Sequence, residues 1–60
     1  MTTKTKSFTI EIDGNNVKVT NIFGDIYKGT FDENGKVIAK TVIGLGYITK
    51  ALRELKDLNA

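Results

Sequence analysis

The 60-residue chain contains no cysteine, histidine, proline or tryptophan. Without cysteine it can form neither a disulfide nor a thiolate metal site, and without histidine it lacks the commonest zinc ligand. The same two absences remove the side chains that activate a nucleophile, and Ser7 is the only serine. We therefore expect a protein that is not an enzyme, and the sequence suggests no cofactor or metal.

A strong excess of one charge and a long hydrophobic run are also missing. Nine lysines and arginines stand against seven acidic residues, which gives a net charge of +2. This balance permits nucleic-acid binding but does not require it. With no apolar run typical of a signal peptide or a membrane span, we expect a cytoplasmic protein without a membrane segment.

The length suits one small domain. Sixty residues bury only about 60% of the surface that the unfolded chain exposes, so such a domain is marginally stable alone. Residues 1–6 are polar and basic and show no apolar periodicity. We predict a flexible N-terminal tail over 1–6 and a single α+β domain over 7–60.

The clearest local pattern is a β-hairpin. Residues 8–13 and 17–23 contain runs in which apolar and polar side chains alternate, the pattern of a half-buried strand. Between them, Gly14 can supply the positive φ of a type II′ turn. The resulting register sets Glu11 opposite Lys18, a favourable cross-strand pair. Alternation, turn chemistry and charge thus agree on the same hairpin.

Two further strands are predicted, near 26–31 and 36–43. Gly24 precedes the first of them and marks either a turn or a bulge. The second strand contains two adjacent apolar pairs, at 37–38 and 42–43, so both of its faces carry residues of the buried type. A strand with this pattern is typically covered on both sides.

The register of this second hairpin is open between two alternatives. A two-residue Asn-Gly turn pairs Phe31 with Ile38, whereas a longer loop pairs Phe31 with Val37. The longer loop also places Lys28 opposite Lys40. Since like charges facing each other destabilise a strand pair, the two-residue turn is favoured.

The last stretch, 47–58, predicts an amphipathic helix. Its apolar side chains recur at spacings of three and four and form one stripe, with charged residues on the opposite side. The stripe consists of Ile48, Ala51, Leu52, Leu55 and Leu58. Two glycines, in Gly44-Leu-Gly46, are expected to link the last strand to this helix.

These elements predict an α+β fold, in which a small antiparallel β-meander of three to four strands packs on one C-terminal α-helix. A sheet curled toward a barrel is the alternative. The order of elements resembles that of the seven-kilodalton archaeal chromatin proteins and is similar to the arm-binding domains of tyrosine recombinases. The likeness is one of topology over most of the chain, rests on no motif and assigns no residues.

The leading functional hypothesis is a binding module with an apolar protein–protein interface. One helix covers only one face of a sheet, so a second apolar face needs a barrel closure or another chain. We therefore expect a protein partner or a homodimer. The candidate interface residues are Tyr27, Phe31, Ile38 and Val42. For the two aromatic residues, packing in the core or a barrel is favoured over a protein interface, and base stacking is the third alternative.

A small DNA- or RNA-binding protein is the alternative hypothesis. Its candidate contacts are Lys18, Thr20, Lys28 and Lys40, which the predicted strands place on or near the outward sheet face. Lysine charge and threonine hydroxyls both contact phosphates. A solvated face that keeps sheet edges from aggregating would have the same composition.

Overall fold

The structure, a computed structural model, describes residues 1–59. Five antiparallel strands form one open sheet in chain order, and a C-terminal helix packs on one of its faces. This confirms the predicted α+β meander, with one strand more than expected and without closure into a barrel. The elements are β1 (Thr2–Lys4), β2 (Phe8–Asp13), β3 (Asn16–Asn21), β4 (Ile26–Phe31), β5 (Val37–Ala39) and α1 (Val42–Leu58).

The N-terminal segment is an edge strand, which corrects the predicted flexible tail over residues 1–6. β1 pairs antiparallel with β2, with Thr3 opposite Ile10. The pairing extends to Met1, whose carbonyl accepts a hydrogen bond from the Ile12 amide at 2.9 Å. Backbone pairing of this kind needs no apolar side chains, so hydrophobic periodicity could not indicate it.

The hairpin of β2 and β3 has the predicted register. Glu11 lies opposite Lys18, and Ile10 lies opposite Val19. Gly14 has a φ of 60°, as the first central position of a type II′ turn requires. Alternation along these strands directs their aliphatic side chains to the face that the helix covers.

β3 ends at Asn21, two residues earlier than predicted, because a tight turn follows it. The Asn21 side-chain oxygen accepts hydrogen bonds from the amides of Phe23 and Asp25, both at 2.9 Å. Gly24 has a φ of 86° within this loop. Gly24 therefore marks a turn between two strands and not a bulge within one.

The hairpin of β4 and β5 has the register of the longer loop, the alternative that the sequence favours less. Phe31 lies opposite Val37, so the favoured two-residue turn was wrong. The carboxylate of Asp32 organises the longer loop by accepting two backbone hydrogen bonds at 2.8 and 2.9 Å. Since β5 ends at Ala39, Lys40 lies beyond the paired residues, and the expected repulsion does not decide the register.

The helix begins at Val42 and not at residue 47. Thr41 caps it, since its hydroxyl oxygen accepts a hydrogen bond from the Gly44 amide at 2.9 Å. The predicted link of Gly44-Leu-Gly46 is therefore helical, and the strand predicted near 36–43 shortens to β5. Because Val42 and Ile43 belong to the helix, the strand is not apolar on both faces along its predicted length.

The core lies between α1 and the sheet face beneath it. Tyr27 and Phe31 are half-buried and pack against this core. Leu58, predicted as part of the apolar stripe, is exposed at the last residue of the helix. The buried hydrophobic residues are Phe8, Ile10, Val17, Val19, Ile48 and Ala51.

The helix and β5 both come close to the backbone of β4 at Gly29. A Cβ atom added there would lie 2.7 Å from the carbonyl oxygen of Ile38 and 3.0 Å from the Cδ1 atom of Ile48. A glycine at this site lets β5 and the helix both pack against the backbone of β4.

A second contact joins the helix to the loop between β1 and β2. The Oε1 atom of Glu54 accepts hydrogen bonds from the Thr5 hydroxyl at 2.9 Å and from the Ser7 amide at 3.0 Å. Desolvation would by itself raise the pKa of Glu54. The hydrogen bonds from Thr5 and Ser7, together with the charge of Lys50, outweigh it and lower this pKa below the ordinary value of 4.5.

We expect Gly29→Ala to destabilise the fold by roughly 1–3 kcal/mol, because the added methyl group overpacks a site bounded by backbone. Urea unfolding would measure the change in the free energy of unfolding. Gly46→Ala is the control, since a Cβ atom there meets nothing within 4 Å. This helical position should gain about 0.5–1 kcal/mol. Equal effects at both glycines would contradict the close approach at Gly29.

The lowered pKa of Glu54 predicts a pH-dependent contribution to stability. The folded protein binds this proton less tightly than the unfolded chain does. The contribution is therefore complete above the ordinary pKa of 4.5 and is lost as the pH falls through the lower folded value. Glu54→Gln keeps an oxygen acceptor but no charge. We expect the melting temperatures of the two proteins to differ most at neutral pH and to converge in acid. A difference that does not vary with pH would contradict this.

Candidate functional site

The sheet face opposite the helix is uncovered in the described chain. We call it the open face. The strand register aligns its charged side chains in one row, with Lys18 opposite Glu11 on one side and opposite Lys28 on the other. Lys40 follows directly after β5, beyond the paired residues. Two lysines thus face each other across β3 and β4.

The charges of this row are only partly compensated. The Lys18 ammonium lies 3.0 Å from a carboxylate oxygen of Glu11, the one ion pair within 4.0 Å among residues 1–59. Lys28 has no carboxylate at that distance in the same part of the chain. The positive charge is consequently concentrated on the half of the open face that β3, β4 and the end of β5 form.

A shallow cleft of about 410 Å³ lies on this half of the open face. Lys28 and Lys40 both line it, together with Asn16, Thr30 and Ile38. Its walls therefore combine two ammonium groups with an amide, a hydroxyl and two aliphatic side chains, the second of which is that of Ala39. Such a set of donors can bind an anionic ligand that lies across the sheet.

The structure brings together the residues predicted to contact nucleic acid. Lys18 and Lys28 lie on the open face, and Thr20 lies there opposite Thr9. Lys40 borders the same cleft as Lys28. Lys18, Thr20 and Lys28 could be placed on this face from the sequence because alternation decides which face of a strand a side chain occupies.

The residues predicted to form the apolar interface are, in contrast, on different surfaces. Tyr27 and Phe31 lie on the face that the helix covers and are half-buried there. Ile38 is 55% exposed on the open face, and Val42 is exposed in the first turn of the helix. These four side chains form no common patch, so the interface predicted from them needs correction.

Tyr27 has a specific partner in the helix. Its ring stacks on that of Tyr47, with centroids 4.6 Å apart and planes 11° from parallel. Tyr47 also meets Phe8 edge to face, at a centroid distance of 6.4 Å. Burial raises the pKa of Tyr27, and the nearby charges of Asp25 and Tyr47 raise it further. This aromatic contact is part of the packing between helix and sheet.

An exposed apolar surface that sequence reasoning missed lies at one end of the sheet. The loop after β3 ends there, β4 begins there, and β5 returns the chain to it. Ile26, Thr41 and Gly44 line one shallow cleft at this end, together with Tyr27 and the two lysines Lys28 and Lys40 of the open face. We call the surface the apolar end. It comprises five residues that are 56–88% exposed: Ile22, Phe23, Ile26, Val42 and Ile43.

The sequence carries one signal for this surface. Ile22 and Phe23 are two large apolar residues between Asn21 and Gly24, in a segment with turn chemistry. Turn residues are exposed, so apolar side chains there indicate a contact outside the core. Val42 and Ile43 give no such signal, because the sequence predicts a strand there, in which apolar side chains are ordinary.

Other kinds of site find no support in the described chain. Within residues 1–59, no group of three or more metal-ligating side chains could hold an ion. No helix in this range is both long and apolar enough to cross a membrane. No protein-family model, no curated protein and no solved structure matches the chain.

We expect Lys28→Glu to raise the free energy of unfolding by about 0.2–1 kcal/mol, because it replaces a like-charge pair with an attractive one. Urea unfolding at low salt would measure the gain, which should shrink as salt screens the charges. Lys36→Glu, in the exposed loop after β4, is the matched control and should change stability less. An unchanged or lower stability for the Lys28 variant would contradict repulsion between Lys18 and Lys28.

Proposed function

We propose that this chain is a small non-enzymatic binding module that associates with protein through its apolar end, and that a second copy of the chain is a partner. The observation that carries this is the exposure of Phe23 and Val42, at 83% and 88%, on a domain of 60 residues. Contiguous exposed apolar surface on a small soluble domain marks an interaction site more often than chance.

Burial of these side chains would supply the free energy of association. Removing a large aliphatic or aromatic side chain from water contributes about 1.5–3 kcal/mol. Ile22, Phe23 and Val42 are all largely exposed in the single chain. Contact with another protein surface would therefore release apolar area that the fold itself leaves in water.

The loop that carries Ile22 and Phe23 has a defined conformation before any partner binds. The Asn21 side chain accepts two backbone hydrogen bonds across the loop. A third bond joins the Asn21 amide to the Asp25 carbonyl at 3.0 Å. A loop held in this way loses less conformational entropy on binding, which favours affinity.

An apolar surface also suits self-association. In a two-fold symmetric dimer the same patch faces itself, so it must be complementary to itself. Aliphatic side chains meet this condition, whereas a patch of one charge would repel its copy. The first turn of the helix, with Val42 and Ile43, contains no acidic residue. Asp25 is the one carboxylate in the loop after β3, and it accepts a hydrogen bond from the Asn21 side chain at 3.2 Å.

Sedimentation equilibrium over a range of concentrations tests this proposal. We expect a reversible dimer, and we expect Phe23→Ser to weaken it by tenfold or more. The reason is that each lost ring contributes about 1.5 kcal/mol or more and a symmetric dimer loses two. Val42→Ser should act in the same direction. Both positions are exposed, so the melting temperature of the single chain should change little.

Ile38→Ser is the matched control, because it removes an exposed aliphatic side chain from the open face, away from the apolar end. Its dimer should be as stable as that of the unmodified chain. A chain that sediments as a monomer at all concentrations would refute self-association. Weakening by Ile38→Ser in place of Phe23→Ser would assign the contact to the open face.

A further inference from the structure

The lysine row of the open face is a second surface, which borders the apolar end where Lys28 and Lys40 line the same cleft as Ile26. Adjacent strands lie about 4.8 Å apart, so a row over three neighbouring strand positions spans about 10 Å. Lys18 and Lys28 occupy two of these positions in register. Lys40 lines the same cleft as Lys28 and lies directly past the end of β5, the next strand.

The pair of Lys18 and Lys28 is not required by the fold. Like charges directly opposite each other destabilise a strand pair. The register of β3 and β4 is set by the buried face, where Val19 lies opposite Tyr27. A neutral side chain at position 28 would keep this register without repulsion. An anion placed between the two ammonium groups would turn their repulsion into attraction for a ligand.

The surroundings of the row favour an extended anion. Thr20 and Thr30 lie on the same face in the rows on either side of Lys28. Their hydroxyls and the Asn16 amide are further donors to phosphate oxygens. The clefts here are shallow and spread over several strands. A flat surface with donors in several rows fits a repeating phosphate backbone better than one enclosed phosphate group.

The choice between duplex and single strand rests on the aromatic residues. The strands carry no aromatic side chain on the open face, since Phe8, Tyr27 and Phe31 all pack on the covered face. Single-strand binders rely on stacking bases against aromatic rings. Contacts to phosphate need no unstacked base and suit a duplex.

We infer that the open face binds the phosphate backbone of duplex nucleic acid, with Lys18, Lys28 and Lys40 at the phosphates. Glu11 bounds the site on the β2 side and holds Lys18 in an ion pair at 3.0 Å. On binding, Lys18 exchanges this carboxylate for a phosphate. Glu11 therefore weakens the affinity of the site.

Fluorescence anisotropy with a labelled 20-base-pair DNA duplex tests the inference. With three lysine contacts, the affinity should fall about 40-fold between 50 and 200 mM salt. Replacing Lys18, Lys28 and Lys40 together by glutamine should abolish most of this binding and its salt dependence. Glu11→Gln should instead raise the affinity for the duplex. A general loss of structure would lower this affinity and could not raise it.

The matched control replaces Lys36, Arg53 and Lys56 by glutamine. These residues are exposed elsewhere on the chain, and both triple variants change the net charge from +2 to −1. The control should keep most of the duplex affinity. Circular dichroism melting curves would show that all variants are folded.

Three results would overturn the inference. One is the absence of duplex binding at 50 mM salt. Another is an equal loss of affinity in both triple variants, which would show that net charge alone is responsible. The third is binding of a labelled single strand, or of poly-glutamate, at least as tight as that of the duplex. Tight binding of poly-glutamate would assign the open face to an acidic protein.

Discussion

The contact between the helix and the backbone of β4 at Gly29 is the constraint on which the rest of the structure depends. No side chain fits between this backbone, the Ile38 carbonyl and Ile48. Ile48 is fully buried there and packs with Ile10 and Val19. Because the helix lies so close, one sheet face is covered and dry. Both surfaces that we consider for binding lie outside this contact.

One helix of 17 residues against five strands produces two kinds of exposed surface. The open face consists of the alternate residues of each strand, and these are mainly threonine, lysine and other polar types. The apolar end arises because the chain must turn back at the point where the helix begins. There the capping Thr41 closes the first turn, and Val42 follows it without anything to pack against. The polar and apolar surfaces therefore have different physical origins.

The first hairpin was predictable because several short-range signals agree. The alternation of side chains, the turn glycine and the pairing of Glu11 with Lys18 all indicate one register. The second hairpin lacked this agreement. Its register depends on the side chain of Asp32, which closes a loop longer than the Asn-Gly turn that the sequence favours. Repulsion between Lys28 and Lys40 is too weak to decide the register against such a loop.

The candidate functional residues also differ in how far short-range signals could place them. Lys18, Thr20 and Lys28 were assigned to the correct face because a strand alternates with a period of two, whatever lies around it. Tyr27 and Phe31 were harder to assign, since only the position of the helix decides whether their side of the sheet is dry. The apolar end could not be found from periodicity, because it joins a loop, a strand start and a helix start that are distant in sequence.

The sequence by itself determined the α+β class, the first hairpin, the amphipathic stripe around Ile48 and the absence of cysteine and histidine. These properties follow from local periodicity and from composition, which need no knowledge of distant neighbours. Only the tertiary structure decided that residues 2–4 form an edge strand, that the helix begins at Val42 and that the aromatic rings lie beneath it. Each of these depends on backbone groups or faces that are distant in the sequence and meet only in the fold. Their contacts contribute to the free energy of folding only once the chain is packed.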